Sequence, residues 1–226
     1  MYKGLEPNGG VCMRRFEYGW IQSLSLDMDI LSLIAGIYRA NGKEEVLLSQ
    51  SPAILDSLVE LAKVQSTEAS NAIEGIVTTS TRLRQLVTDK TTPRNRDEQE
   101  IMGYRDALNV IHESYDSISL CRNHILQLHK ILYNYQFNAR GGQLKSVQNY
   151  ISVTYPDGRT EVLFTPLAPY ETAEALDQIC AEYNRVVGNG EVEPLLAISI
   201  FIHDFLCIHP FNDGNGRMSR LLTTLL

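Results

Sequence analysis

The 226-residue sequence lacks the features that mark several classes of protein. Its four cysteines, Cys12, Cys121, Cys180 and Cys207, form no Cys-x-x-Cys pair, so neither a zinc site nor a disulfide scaffold is indicated. It also lacks an excess of positive charge, because its net charge is −7. A nucleic-acid surface usually carries a basic patch, so we expect no nucleic-acid partner for this segment.

Long apolar runs are missing as well. The first residues lack the apolar core of a signal peptide, and His203 and Asp204 interrupt the longest apolar stretch before it could cross a bilayer. Hydrophobic residues make up 44% and charged residues 21%, as in ordinary globular proteins. We therefore expect a cytoplasmic protein with no membrane partner, built as one large domain or as a core with an N-terminal extension.

The sequence does contain a series of helical apolar patterns. They cover residues 27–40, 54–64, 96–115, 119–132, 170–187 and 195–208, and the pattern resumes from residue 217. Asn41 and Gly42 predict the end of the first helix, and Ser119 is placed to cap the fourth. These patterns predict a mainly α fold.

One segment has a different pattern. Residues 149–155 and 160–164 are rich in β-branched and aromatic side chains, and they flank the turn sequence Pro156-Asp157-Gly158-Arg159. We predict a β-hairpin here. Such a hairpin could bind a partner, or it could be an ordinary surface hairpin.

The segment from His209 to Arg220 reads His-Pro-Phe-Asn-Asp-Gly-Asn-Gly-Arg-Met-Ser-Arg. Pro210 should end the preceding helix and leave His209 at a helix-to-loop junction. The glycine-rich turn that follows can point successive N–H groups inward and opens a new helix, a combination that binds anions. Arg217 and Arg220 are three residues apart and can both reach one polyphosphate.

The same segment offers Asp213, whose carboxylate is the hard oxygen ligand that Mg²⁺ prefers. Taken singly, a histidine before proline, an Asp-Gly-Asn-Gly turn and two arginines each have a structural explanation. In this order, after an apolar helix, they favour a phosphate site. A metal site made of His203, Cys207 and His209 is a weaker alternative.

A second motif lies upstream. Ser70 and Glu74 are four residues apart, so on a helix they share a face, and Gly75 is a natural helix terminator. On its own, Glu74 would be read as a solvated glutamate.

The spacing of residues 209–220 resembles the signature of the Fic family, His-Pro-Phe-x-Asp/Glu-Gly-Asn-Gly-Arg-x-x-Arg, with every defined position filled. Residues 70–75 resemble the inhibitory motif of Fic proteins, Ser/Thr-x-x-x-Glu-Gly/Asn, in the subclass that carries it before the core. The resemblance covers roughly residues 50–226. It implies a Fic-type helical bundle with one β-hairpin flap. Residues 1–95 would form an N-terminal helical region with the inhibitory motif, and residues 96–226 a Fic core that we expect to be truncated at its C-terminal end.

The resemblance also implies an activity, that of a protein adenylyltransferase, which transfers AMP from ATP to a Tyr, Ser or Thr hydroxyl of a protein. His209 would be catalytic, Asp213 would bind Mg²⁺, and Ser70 and Glu74 would be inhibitory, with Glu74 pairing with Arg220. The residues implied to bind ATP are Gly214, Asn215, Gly216, Arg217 and Arg220. The residues implied to dock the target by strand pairing are Asn149, Tyr150, Ile151, Val162, Leu163 and Phe164. The expected partners are ATP and a protein with an accessible hydroxyl, including a copy of the chain itself, and an oligomer is left open.

The hairpin region departs most from the family. Lys145 stands where arginine is common, and residues 164–167 lack the usual double proline. Two other functions are alternatives. One is a Fic-like transferase of another phosphate-containing group, against which Gly216 and Arg220 argue. The other is a regulatory or binding module locked by Glu74 that has little activity.

Overall fold

The computed structural model describes residues 16–50, 52–88, 91–137 and 140–226, with side chains placed outside 44–50 and 52–56. The described part contains eight α-helices and one two-stranded sheet, so the predicted mainly α fold with a hairpin is confirmed. The helices are α1 Met28–Gln50, α2 Pro52–Ile73, α3 Ser80–Val87, α4 Arg96–Ser114, α5 Arg122–Leu132, α6 Pro169–Gly188, α7 Pro194–Ile208 and α8 Asn215–Leu225.

Helices α4 to α8 enclose the main hydrophobic core. α4 contacts α2, α3, α5 and α8, while α7 packs against both α6 and α8. Large side chains without solvent exposure, among them Phe201, Phe205 and Phe211, fill the space between them. Burying each such side chain contributes about 1.5–3 kcal/mol. This packing brings the C-terminal end of α7 and the N-terminal end of α8 together over α4 and α5.

A close crossing of α4 and α5 helps to set this arrangement. A Cβ atom on Gly103 of α4 would overlap the backbone carbonyl of Leu132 at the end of α5. Only glycine lets the two backbones approach so closely. As a result, Tyr133, the residue after α5, lies next to the start of α8, where its hydroxyl would be 2.9 Å from a Cβ on Gly214.

The predicted hairpin is present; its first strand is shorter than expected, and its second strand has the predicted bounds. β1 spans Ile151–Thr154 and β2 spans Thr160–Phe164. They pair antiparallel, from Thr154 opposite Thr160 to Ile151 opposite Phe164, with an irregularity between the first two residues of β1. Gly158 has a φ of 84° in the turn, a value that favours glycine.

Three helix predictions were wrong or incomplete. α1 continues through Asn41 and Gly42 to Gln50, because a glycine inside a helix costs only about 1 kcal/mol and does not by itself end it. Cys121, not Ser119, precedes α5, and the Ser119 carbonyl lies 2.7 Å from the His124 ring. The short helix α3 was not predicted, although Thr79 caps its first turn. No helix in the described ranges is long and apolar enough to cross a membrane.

Candidate active site

His209 occupies the junction predicted for it. It caps α7 in the left-handed conformation, with φ 51° and ψ 62°, and its N–H donates to the Phe205 carbonyl at 2.9 Å. No other non-glycine residue of the described chain has a positive φ. Because such a conformation is costly, it marks a position held in place by its surroundings.

The imidazole of His209 is half-buried, and burial lowers its pKa below the usual value. The nearby cation of Lys145 lowers the pKa further, whereas the Leu206 carbonyl and the carboxylates of Asp213 and Glu74 oppose the shift. The buried Nδ1 makes no hydrogen bond of ordinary geometry within the described residues. The ring is therefore neutral near pH 7 and can accept a proton.

The His209 junction is held by two residues that precede the hairpin in the sequence, Lys145 and Asn149. Lys145 Nζ donates to the Ile208 carbonyl at 2.9 Å, and the Lys145 N–H donates to the Pro210 carbonyl at 2.8 Å. Asn149 Nδ2 lies 3.3 Å from the His209 carbonyl and 3.0 Å from the Phe211 carbonyl. Asn149 was predicted to dock the target; its side-chain amide contacts this loop, and a role of its backbone in docking stays a prediction. The contacts of Lys145 and Asn149 with this loop were not predicted. The only signal in the sequence was the lysine at position 145, where arginine is common in the family.

Asn215 and Gly214 close the turn that follows. The Asn215 side chain is buried, accepts from the Phe211 N–H at 2.9 Å and donates to the Phe211 carbonyl at 2.8 Å. Its predicted ATP contact could therefore involve only the backbone. Gly214 begins α8 with a φ of 81°, close against Tyr133, so a side chain at this position would be strained.

His129 of α5 supports the turn from below. Its Nδ1 accepts from the Gly142 N–H at 2.9 Å, so its Nε2 must carry the proton that it shares with the Asp213 carbonyl at 3.1 Å. The ring is stacked on Phe211 at a centroid distance of 3.6 Å. Burial lowers the pKa of His129 to about 4. The sequence offers no obvious partner for this histidine. In the structure its neutral ring supports the turn through these contacts.

Arg217 points into the protein. Its side chain is 2% exposed and donates to the Glu100 carboxylate at 2.7 Å and to the Tyr133 hydroxyl at 3.1 Å. Glu100 lies on α4 and is itself buried. The guanidinium predicted to bind ATP thus ties α8 to α4 and α5, and its role toward ATP stays a prediction. Glu100, 117 residues away, gave no signal in the sequence.

Arg220 points the other way, toward the end of α2. Its Nε donates to Ser70 Oγ at 2.7 Å, and its Nη2 donates to the Ser70 carbonyl at 3.0 Å and to Glu74 Oε1 at 2.6 Å. The predicted pairing of Glu74 with Arg220 is thus present. The Glu74 carboxylate also lies against Gly216, where it would overlap a Cβ atom. A carboxylate therefore sits at the positive end of the α8 dipole.

Asp213 is the exposed acidic residue of the turn. Its side chain is 62% exposed, and its Oδ1 accepts from the Gly214 N–H at 2.7 Å. It borders a cavity of about 160 Å³; the other lining residues are His129, Tyr133, Gln136, Arg140, Gln143 and Asn212. The described residues contain no group of three or more metal-binding side chains, and hence none around His203. A single carboxylate fits Mg²⁺ whose other ligands are phosphate and water.

The hairpin presents its apolar side chains to solvent. The exposed ones are Tyr150, Ile151, Tyr155, Val162, Leu163 and Phe164. Within the described ranges the sheet has only two strands, so each strand has one edge with unpaired backbone groups. Such an edge can bind an extended peptide by strand addition.

This helical fold is similar to that of Fic proteins. Residues 119–226 match the model of the Fic/DOC family, so this segment is a Fic domain. The chain is 27% identical over 136 residues to protein adenylyltransferase fic-1 of Caenorhabditis elegans, covering 58% of this chain and 24% of that protein. It is 26% identical over 161 residues to protein adenylyltransferase Fic of Nematostella vectensis, covering 68% of this chain and 34% of that protein. The chain thus spans about a quarter to a third of the length of these curated relatives.

Solved structures share the fold. A Fic domain-containing signaling protein from Bacteroides thetaiotaomicron superposes with a TM-score of 0.72 at 25% identity, over 84% of this chain and 71% of that one. A fragment of Fic-1 from Caenorhabditis elegans superposes with a TM-score of 0.60 at 20% identity, over 86% of this chain and 58% of that one. The second likeness, at lower identity, concerns the fold alone.

Proposed function

We propose that this protein transfers AMP from ATP to a hydroxyl group of a protein and that Glu74 restrains the reaction. One observation carries the proposal: the Glu74 carboxylate lies at the start of α8, against Gly216 and bound by Arg220, near the neutral His209. An anionic group thus fits the position where a phosphate would be bound by a helix N-terminus. The names of the curated relatives support the choice of AMP as the transferred group.

The chemistry would require a base and a bound triphosphate. His209 would take the proton of the target hydroxyl as its oxygen attacks the α-phosphorus of ATP. The bond from the α-phosphorus to the bridging oxygen would break, and diphosphate would leave with that oxygen. The first turn of α8 and Arg220 would bind the phosphate oxygens and offset the charge that develops on them.

Asp213 would hold the metal ion. A bound Mg²⁺ would neutralise part of the triphosphate charge. Asp213 suits this role because it is exposed at the turn and its backbone is fixed by the contact between its carbonyl and His129. The hairpin, with its apolar side chains exposed, would hold the target segment by strand pairing.

Glu74 would oppose ATP binding in two ways. Its carboxylate occupies the guanidinium of Arg220 that a phosphate would need, and its negative charge would repel the phosphates. The pair is about one-third exposed, with side-chain exposures of 29% for Arg220 and 37% for Glu74. Solvent weakens such a pair, so the restraint would be reversible.

The test compares the wild type with Glu74→Gly, each incubated with labelled ATP, Mg²⁺ and cell lysate. The Glu74→Gly variant should label itself or a target about five- to tenfold more strongly, since an exposed charge pair contributes about 1 kcal/mol. His209→Ala in that background should lose about 10²- to 10⁴-fold in rate. Asp213→Ala or EDTA should remove most of the labelling.

The same experiment separates the alternatives. Mass spectrometry of the product should show an addition of about 329 Da for AMP, whereas a transferred phosphate would add about 80 Da. If Glu74→Gly binds ATP but labels no better than the wild type, Glu74 is not an inhibitor. If neither protein transfers any group, the result favours the alternative hypothesis that the protein is a regulatory or binding module.

A further inference from the structure

We propose that Lys145 and Asn149 form a clamp that positions His209, a role that rests on the proposed transfer reaction. Both residues lie just before the hairpin, and the polar groups of their side chains face the loop that follows α7. They act on His209 through its backbone, so they are positioning residues.

The clamp reaches four consecutive carbonyl groups. Lys145 donates to the carbonyls of Ile208 and Pro210, through Nζ and its backbone N–H, respectively. Asn149 donates to the carbonyls of His209 and Phe211 through Nδ2. The two residues are also joined, because Lys145 Nζ donates to Asn149 Oδ1 at 3.0 Å.

The end of α7 needs such donors. The last carbonyl groups of a helix have no partner within the helix, and Pro210 has no N–H with which to continue the pattern. In addition, the left-handed conformation of His209 persists only where its surroundings enforce it. The clamp fixes the carbonyls on both sides of His209, so it determines the direction in which the imidazole leaves the helix.

The charge of Lys145 adds a second effect. Its side chain is buried at 3% exposure, and a cation at the C-terminal end of α7 complements the helix dipole. Burial lowers the pKa of Lys145 to about 8, while Glu171 opposes this shift. The charged groups that act on His209 are Lys145, Asp213 and Glu74, and among them only Lys145 disfavours the imidazolium. Lys145 thus helps to keep His209 neutral, as a base must be.

The experiment uses the full chain in the Glu74→Gly background, where transfer is expected to be measurable. Lys145→Met removes the side-chain donor and the charge, and Lys145→Arg keeps both. Asn149→Asp keeps the acceptor for Lys145 but loses both donated bonds. Lys43→Met, which removes a lysine from the exposed face of α1, is the matched control.

We expect Lys145→Met and Asn149→Asp to lower kcat at least about tenfold, because small displacements of a catalytic group are costly. KM for ATP should change less than about twofold, since neither residue contacts the first turn of α8 in the described structure. Lys145→Arg should restore most of kcat, and Lys43→Met should behave like the parent. In Lys145→Met the acidic limb of the pH profile should move to higher pH, because the cation that disfavours the imidazolium is gone.

Two results would overturn the clamp. One is a parental kcat in both Lys145→Met and Asn149→Asp; the other is an equal loss of kcat and ATP affinity with an unchanged acidic limb. If Lys145→Met does not fold, the clamp is tested by kcat and KM of Asn149→Asp alone. If the Glu74→Gly parent transfers nothing, the proposed function fails by itself. The clamp is then tested by NMR titration of the His209 ring, whose pKa should rise in Lys145→Met; unchanged titration would refute it.

Discussion

The two sides of the signature segment, residues 209–220 with the preceding Ile208, are held in different ways. On the inner side, Lys145, His129 and Glu100 bind the segment from positions that are at most 4% exposed. On the outer side, Glu74 and Arg220 form an ion pair that is about one-third exposed. The inner contacts hold the backbone and Arg217, whereas the outer contact holds only the side chain of Arg220.

The difference in burial has a physical consequence. A buried donor or acceptor that loses its partner cannot turn to water, so the inner contacts are costly to break. An exposed pair exchanges its partner for water or for another anion at little cost. The inner side therefore maintains the geometry of the site, and the outer side is the part that an incoming phosphate could displace.

The largest expected effect comes from breaking the inner side at Glu100. Glu100→Ala leaves the Arg217 guanidinium buried without its carboxylate, and we expect the free energy of unfolding to fall by about 3–5 kcal/mol. Urea unfolding followed by circular dichroism measures this. Glu113→Ala, at an exposed position on the same helix, is the control and should change stability by less than about 0.5 kcal/mol. A loss below about 1 kcal/mol for Glu100→Ala would remove the distinction between the two sides.

The next effect is a dependence of stability on pH. His129 has a pKa of about 4 in the folded protein and about 6.5 when unfolded, so the unfolded chain binds the proton first as the pH falls. The stabilisation is complete above pH 6.5 and declines below it, by about 2 kcal/mol at pH 5 and about 3 kcal/mol below pH 4. His209 and His112, whose pKa values burial also lowers, act in the same direction.

Unfolding in urea at pH 7 and pH 5 tests this dependence. His129→Phe keeps an aromatic ring against Phe211 and removes the titrating group, so its stability should vary less between the two pH values. NMR titration of the wild type gives a direct measurement of the ring. A pKa near 6.5 for His129 would show that the inner side is accessible to protons.

The smallest expected effect on stability comes from the outer side. Glu74→Gly should lower the free energy of unfolding by less than about 1 kcal/mol, while it raises transfer as proposed above. Glu74→Gln, which keeps the shape and an oxygen acceptor but not the charge, should give an intermediate gain in transfer. Calorimetric melting of the wild type, Glu74→Gly and Glu74→Gln measures the change in the free energy of unfolding. A loss of several kcal/mol in Glu74→Gly would show that the outer contact is also structural.

Local patterns were enough to predict much of this molecule. The apolar periodicity and Pro210 predicted α7 and its end, and Pro156 to Arg159 predicted the turn of the hairpin. Ser70 and Glu74 matched the inhibitory motif of Fic proteins, and Arg220 matched their signature. The structure contains the contact between the two motifs that the resemblance implied. These features depend on neighbouring residues or on a motif, so the sequence contains the information needed to find them.

Other features were decided only by the tertiary structure. Arg217 and Arg220 look equivalent in the sequence, yet one is buried against Glu100 and the other faces Glu74. An apolar stripe on a helix usually faces a core, yet Leu33 and Ile37 in the stripe of α1 are 69% and 53% exposed. Each outcome depends on which helix packs beside the residue.

The clamp shows the same division between local pattern and packing. The sequence determined that a helix ends at His209 and that a glycine-rich turn follows, because proline and glycine act on their own backbone. That Lys145 and Asn149 supply the donors for this end was decided by tertiary packing. These residues lie about 60 positions from the carbonyls they bind, at separations of 63 and 60 residues for Ile208 and His209. A hydrogen bond depends on distance in space, which spacing along the chain does not specify at that range.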